Sequence, residues 1–122
     1  MNLPYQAMLE QATDSVIYAD QTGIIRFWNR ASEILFGFSA EEAVGQSLDI
    51  IIPEYLREPH WRGFYAAIET GRTKHGGKPA RIKALNKAGG YIYAEVGFCV
   101  VVDEETGRKG ALSIARAAAP KG

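Results

Sequence analysis

Few side chains in this sequence could do chemistry, and their spacing narrows the choice. His60 stands in LREPHWRGF and His75 in the glycine-flanked GRTKHGGKP, and these are the two histidines of the chain. No acidic cluster accompanies either, so a metal site assembled from several protein donors is not expected, and His75 reads as solvated. Cys99 is the single cysteine, which excludes an internal disulfide and every cysteine-based zinc pattern. Within GFCVV its thiol is expected as a small, buried or half-buried apolar group. Asp20, Glu41, Glu42 and Glu95 could pair on paper as acid and base. The first three are accounted for by turn and helix-cap positions, and Glu95 shares the tyrosine-rich face of a strand. No glycine-rich phosphate loop, nucleophile elbow or metal motif occurs, so catalysis is not expected. Arg72, Lys74, Lys78, Arg81, Lys83 and Lys87 form a basic run. A solvated edge is the expected reading, with an anionic ligand as the weaker one.

The elements that must position these residues follow from patterning. A chain of 122 residues with 47% hydrophobic and 23% charged residues suits one globular domain. No apolar run approaches the ~18 residues of a membrane span, and MNLPYQAMLEQ lacks the basic start and apolar core of an export signal. A reducing cytoplasm is the expected setting. Acidic and basic residues balance at 14 each, so a basic surface for nucleic acid is not expected.

Residues 4–12 read as a short helix or arm. Val16 to Ala19 and Ile24 to Trp28 read as two strands joined by a turn at Asp20-Gln21-Thr22-Gly23. Asn29 is placed to cap the helix RASEILF, whose Ala31, Ile34 and Leu35 share one face and which Gly37 stops. Ser39 to Glu42 is a capping box opening a short helix that Gly45 ends, and Ser47 can cap a third turn. Pro59 is expected at the first position of the longest helix, HWRGFYAAIETG, closed by Gly71. Its His60, Phe64, Ala67 and Ile68 share a face. Strands follow at Ala80 to Asn86, Tyr91 to Val101 and Ala111 to Ala115. The order β-β-α-α-α-α-β-β-β predicts an α+β domain with one antiparallel sheet covered on one face by helices. A single domain is expected over residues 1–117, with 118–122 a tail or the start of a linker.

The segment ADQTGIIRFWNRASEILFGFSAEEAVGQSL resembles the PAS sensory domain pattern. Asp20, Gly23, Ile25, Asn29, Phe36, Gly37, Glu41, Glu42 and Gly45 stand at the matching positions. IIPEYLREPHWRGFYAAIETG is similar to that family's long helix, and NKAGGYIYAEV to a later strand hairpin. The resemblance implies a five-stranded sheet of order 2-1-5-4-3 and helices that enclose a ligand cavity. It departs at the end of the last strand. The Asp and Thr that often follow the final Arg in this family are missing after Arg116, which puts output through that junction in question.

By this resemblance His60 occupies the position at which oxygen-sensing haem PAS proteins place their iron ligand. Arg81 is then the one residue suited to the distal side. A structural or pocket-lining role for His60 is the competing reading. Flavin is not expected, because nothing like the Asn-Cys-Arg-Phe-Leu-Gln signature of the light-sensing relatives occurs. Trp28, Ile50, His60, Phe64, Ile82 and Leu112 are expected to line a pocket between sheet and long helix. Trp28, Tyr91, Tyr93 and the N-terminal PYQAML are expected to serve a homodimer through the N-terminal helix and outer sheet face. The resemblance also implies an adjacent effector, either a histidine kinase, a cyclic-nucleotide enzyme or a transcriptional regulator. A ligand-free interaction domain with a filled core is the third reading.

Overall fold

The computed structural model describes residues 2–73, 76 and 78–120. Lys74 and His75 lie outside the described residues. One antiparallel sheet organises the domain, in the order β2-β1-β5-β4-β3. Its strands are β1 (Ser15–Asp20), β2 (Ile25–Trp28), β3 (Ala80–Leu85), β4 (Tyr91–Val102) and β5 (Lys109–Ala117). Between β2 and β3 the chain forms α2 (Arg30–Phe36), α3 (Ala40–Ala43), two 3-10 turns at Leu48–Ile51 and Glu54–Leu56, and α4 (Arg57–Thr70); α1 (Tyr5–Glu10) precedes the sheet.

Local chemistry sets most of these boundaries. The Asn29 side chain accepts from Ser32 N, capping α2, and Gly37 ends that helix at φ 86°, a conformation that costs other residues ~1–2 kcal/mol. Ser39 and Glu42 make the reciprocal capping box of α3, and Ser47 caps the first 3-10 turn. The long helix starts earlier than the sequence suggests. Arg57 is its first residue, so Pro59 is third rather than first. A proline is tolerated there because the first four helical N–H groups have no partner within the helix. In α2 the buried positions are Ser32 and Phe36, whereas Ile34 is 78% exposed. Of the predicted face of Ala31, Ile34 and Leu35, Ile34 is therefore turned outward while Leu35 packs against the core, and burial follows the polar Ser32 because its hydroxyl bonds Ser15 Oγ at 2.7 Å and Asn29 Oδ1 at 2.8 Å.

Strand alternation assigns the two faces of the sheet. Ile17, Ala19, Ile25, Trp28, Ala84 and Ala111 join Phe36, Leu48, Ile51, Ile52 and Phe64 in one core, so their side faces the helices. The register places Ile82 opposite Ala94, and Val96 opposite both Ala80 and Ala115, continuing that inner face. Small residues dominate it: Ala19, Ala84, Ala94, Ala111 and Ala115 are all buried. Bulk comes instead from Trp28 and from the helices, through Phe36, Phe64 and Ile51. On the other face, pairs such as Cys99 with Leu112, Gly97 with Ile114 and Glu95 with Arg116 stand side by side. No helix among the described residues is long and apolar enough to cross a membrane.

Candidate functional site

The long helix sets His60 against Trp61 and against Phe64, which lies in the core under the helices. Its neighbour Trp61 fixes that placement. The Trp61 indole donates to Asp49 Oδ1 at 2.7 Å, and its ring lies directly on Gly23 in the β1–β2 turn. Arg57, one turn earlier, donates to Ile52 O at 3.1 Å. The start of α4 is thus tied both to the preceding 3-10 turn and to the first hairpin. His60 packs against Trp61, with ring centroids 4.7 Å apart, and faces Phe64 at 6.1 Å. Its Nδ1 is buried without a hydrogen-bond partner. Burial pushes its pKa below the ordinary histidine value, against the opposing field of Asp49. A neutral imidazole with an unpartnered buried nitrogen can accept or donate one hydrogen bond, or bind a metal. Leaving such a group unsatisfied costs ~1–3 kcal/mol.

Of the six residues expected to line a pocket here, four gather on this side. Trp28 is 1% exposed and, like Phe64, belongs to the buried core; Ile50 packs against that core, and His60 meets it through Phe64. The other two do not join them. Ile82 points to the inner side but sits on the edge strand and is 38% exposed. Leu112 pairs with Tyr18 and Cys99 and belongs to the outer face. It lines a groove of about 450 Å³ there, with Glu95, Gly97, Cys99, Ile114 and Arg116. Arg81 also stands on the outer face, exposed and opposite Glu95, away from His60.

Other expectations are corrected by the same geometry. Cys99 is exposed, because its position in the alternation carries it to the uncovered face. Trp28 is no surface aromatic: its indole donates to Phe38 O at 2.9 Å inside the core. The basic run is not uniformly solvated, since Lys87 pairs with Glu42 and Lys83 lies over three tyrosine rings. Asp20 is explained by its turn. Burial would raise its carboxyl, but hydrogen bonds from the Thr22 hydroxyl, Arg26 and the Thr22 and Ile24 amides bring it to about 2. Among the described residues no group of three or more His, Cys, Asp or Glu side chains could hold a metal ion.

Two structural ties were not visible in the sequence. Asn29 does more than cap α2: its Nδ2 donates to Leu9 O at 2.9 Å and Asp14 O at 3.1 Å, and its Oδ1 accepts from Val16 N at 2.9 Å. It joins the N-terminal arm to both β1 and α2. Arg116, at the end of β5, donates to Asp14 at 2.8 Å, so the chain's entry to the sheet and its exit are bonded to each other. The sequence matches the PAS fold over residues 4–117.

The chain belongs to the PAS family. Among solved structures, the PAS domain of a protein from Colwellia psychrerythraea is 26% identical, covers 93% of each chain and superposes with a TM-score of 0.78. Among curated relatives, the sensor protein FixL of Bradyrhizobium diazoefficiens is 40% identical over 55 residues, 45% of this chain and 11% of that protein. The oxygen sensor protein DosP of Escherichia coli is 28% identical over 85 residues, 70% of this chain and 11% of that protein. The chain therefore spans about a tenth of the length of the curated relatives it matches. PAS domains are sensory modules that in sensor proteins adjoin effector domains.

Proposed function

We propose that this PAS domain senses a small apolar or amphipathic molecule held between α4 and the inner face of the sheet. The unpartnered, buried Nδ1 of His60 carries the reading, because it is a polar group that a ligand could satisfy in an otherwise apolar layer. Ile50, Phe64 and Trp28 supply the apolar walls. Binding there favours one packing of α4 on the sheet. The change passes to the outer face and to an adjoining effector, a histidine kinase or a transcriptional regulator. Residues 1–117 make up the sensing unit and 118–122 lead toward that effector. The Asp14–Arg116 pair takes the place of the acidic and hydroxyl residues missing after Arg116, since it ties the last strand to the N-terminal arm.

Dimerisation belongs to the same reading. None of α1 is buried, and Tyr5, Met8 and Leu9 on it and Leu3 before it are exposed. Ile114 and Val101 are exposed on the outer face. Two copies meeting through these surfaces would cover them. Light scattering is expected to show a dimer that weakens when residues 1–12 are deleted; a monomer at high concentration, unchanged by the deletion, would contradict this.

His60 also supports a haem reading, alongside the likeness to an oxygen sensor. The neutral imidazole fits an iron ligand, and bound haem iron would supply reversible binding of a diatomic gas. Arg81 does not fit as the opposing group, being on the other side of the sheet. The test separates the readings. In an NMR titration with a small-molecule set, the Trp61 indole and the Ile51 methyls should shift while outer-face residues do not. Shifts confined to the outer face would overturn the proposed site. A Soret band from protein grown with haem, abolished in His60→Ala, would select the haem reading instead.

A further inference from the structure

At the edge of the sheet furthest from β2, one ammonium group is surrounded by aromatic rings rather than by carboxylates. Lys83 Nζ lies 5.0 Å from the centroid of the Tyr91 ring, 5.6 Å from Tyr55 and 5.8 Å from Tyr93. All three distances fall within the ~6 Å range in which a ring quadrupole attracts a cation. The walls come from different parts of the chain. Tyr91 and Tyr93 alternate onto the outer face of β4, Lys83 pairs directly with Tyr93, and Tyr55 reaches round the edge from the 3-10 turn before α4. The Tyr55 and Tyr91 rings brace each other edge to face, 6.5 Å apart at 80°. Among the described residues Lys83 makes no ion pair, although five other ion pairs are formed there.

We propose that Tyr55, Tyr91 and Tyr93 form a binding site for an organic ammonium ion, filled in this structure by the chain's own Lys83. A cage without a carboxylate discriminates by hydration. Weakly hydrated quaternary ammonium groups give up little on entering it, whereas a primary ammonium loses more of its water. Besides its flexible four-carbon stem, Lys83 is held by the hydroxyls of Tyr55 and Tyr93 and, among the described residues, by no ion pair, so it can leave without disturbing β3, and an external cation competes with it for the same three rings. The site is separate from the His60 layer and does not depend on it. It reaches that layer through Tyr55, the middle residue of the 3-10 turn leading into α4, and through β3 itself, whose Ala84 lies in the core; exchange of the resident cation thereby reaches the sensing helix.

Choline, and its neutral isostere with carbon in place of the nitrogen, test the site on the full chain by titration followed through tyrosine ring resonances. Lys83→Ala vacates the cage and is expected to tighten choline binding by about fivefold or more relative to the unmutated chain, with the neutral isostere weaker by a similar factor. Lys83→Ser, which is as short but polar, should tighten binding in the same direction. Adding Tyr91→Leu to Lys83→Ala keeps apolar bulk but removes one ring, and is expected to abolish the gain. The proposal is overturned if neither Lys83 variant tightens choline, or if the neutral isostere binds as well as the cation.

Discussion

Substituting Gly23 with alanine probes how α4 is held over the sheet. Gly23 has φ 83°, so any side chain there meets the left-handed penalty of roughly 1–2 kcal/mol. A Cβ at this position would also run into the six-membered ring of Trp61. That ring cannot simply swing aside, because its indole N–H is bonded to Asp49 and the ring stacks on Tyr65 at 5.6 Å. Forcing a methyl into such a contact costs about 1–3 kcal/mol. Gly23→Ala should therefore destabilise the domain by about 2–5 kcal/mol, a large share of the ~5–15 kcal/mol typical of a domain. Urea unfolding at equilibrium reads this directly. A double-mutant cycle with Trp61→Ala separates the two parts. Removing the ring relieves the overlap but not the backbone strain, so the double variant should be about 1–3 kcal/mol more stable than the sum of the singles predicts. Additivity within ~0.5 kcal/mol would refute the seating of Trp61 on Gly23, and with it the account of what positions His60.

Four further outcomes follow from the same geometry. Asn29→Ala leaves several buried groups of β1, α2 and the N-terminal arm unpaired and should cost about 2–4 kcal/mol, with hydrogen exchange rising first near Gln11 to Ser15. The Asp20 carboxylate, held at about 2, contributes stability that is present above the ordinary pKa of a free Asp and lost as pH falls toward 2. Asp20→Asn should remove that acid dependence and cost only about 1 kcal/mol at neutral pH, since the site is partly open to solvent; an unchanged acid profile would contradict it. His60 has a lowered pKa, so the unfolded chain takes up a proton at higher pH than the folded one. Stability should fall as pH drops through the unfolded histidine value, and His60→Leu should flatten that slope in urea titrations. Cys99, exposed on the outer face, should react with a maleimide in the native state at a rate unaffected by mild denaturant.

The fold was legible because its junctions are local. Asn29, Gly37 and the Ser39–Glu42 box each determine a boundary through bonds to residues within four positions, and strand alternation assigned the tyrosine face of β4 correctly. What escaped the sequence was long-range. Ile34 reads as a core residue by spacing, but the Ser15–Ser32 bond turns α2 so that it faces solvent. Leu112 reads as a pocket liner by its apolar character, and only the register with Cys99 shows that it faces outward. Nothing near Trp61 signals that it rests on a glycine 38 positions earlier, and Lys83 looks like one more basic residue until Tyr55 is brought to it from the turn before α4. At the candidate site, His60 was singled out by type and position. Its lack of a partner could be seen only in three dimensions.

In the proposed function the layer beneath α4 holds a ligand through His60. Native mass spectrometry of the purified chain and of His60→Leu, with absorption spectra of both, tests it most directly. A bound small-molecule mass is expected on the unmutated chain and is lost or much reduced in His60→Leu, while both proteins remain folded. A chain that carries no added mass from any expression host or ligand mixture, or one whose bound mass is indifferent to His60, would contradict it.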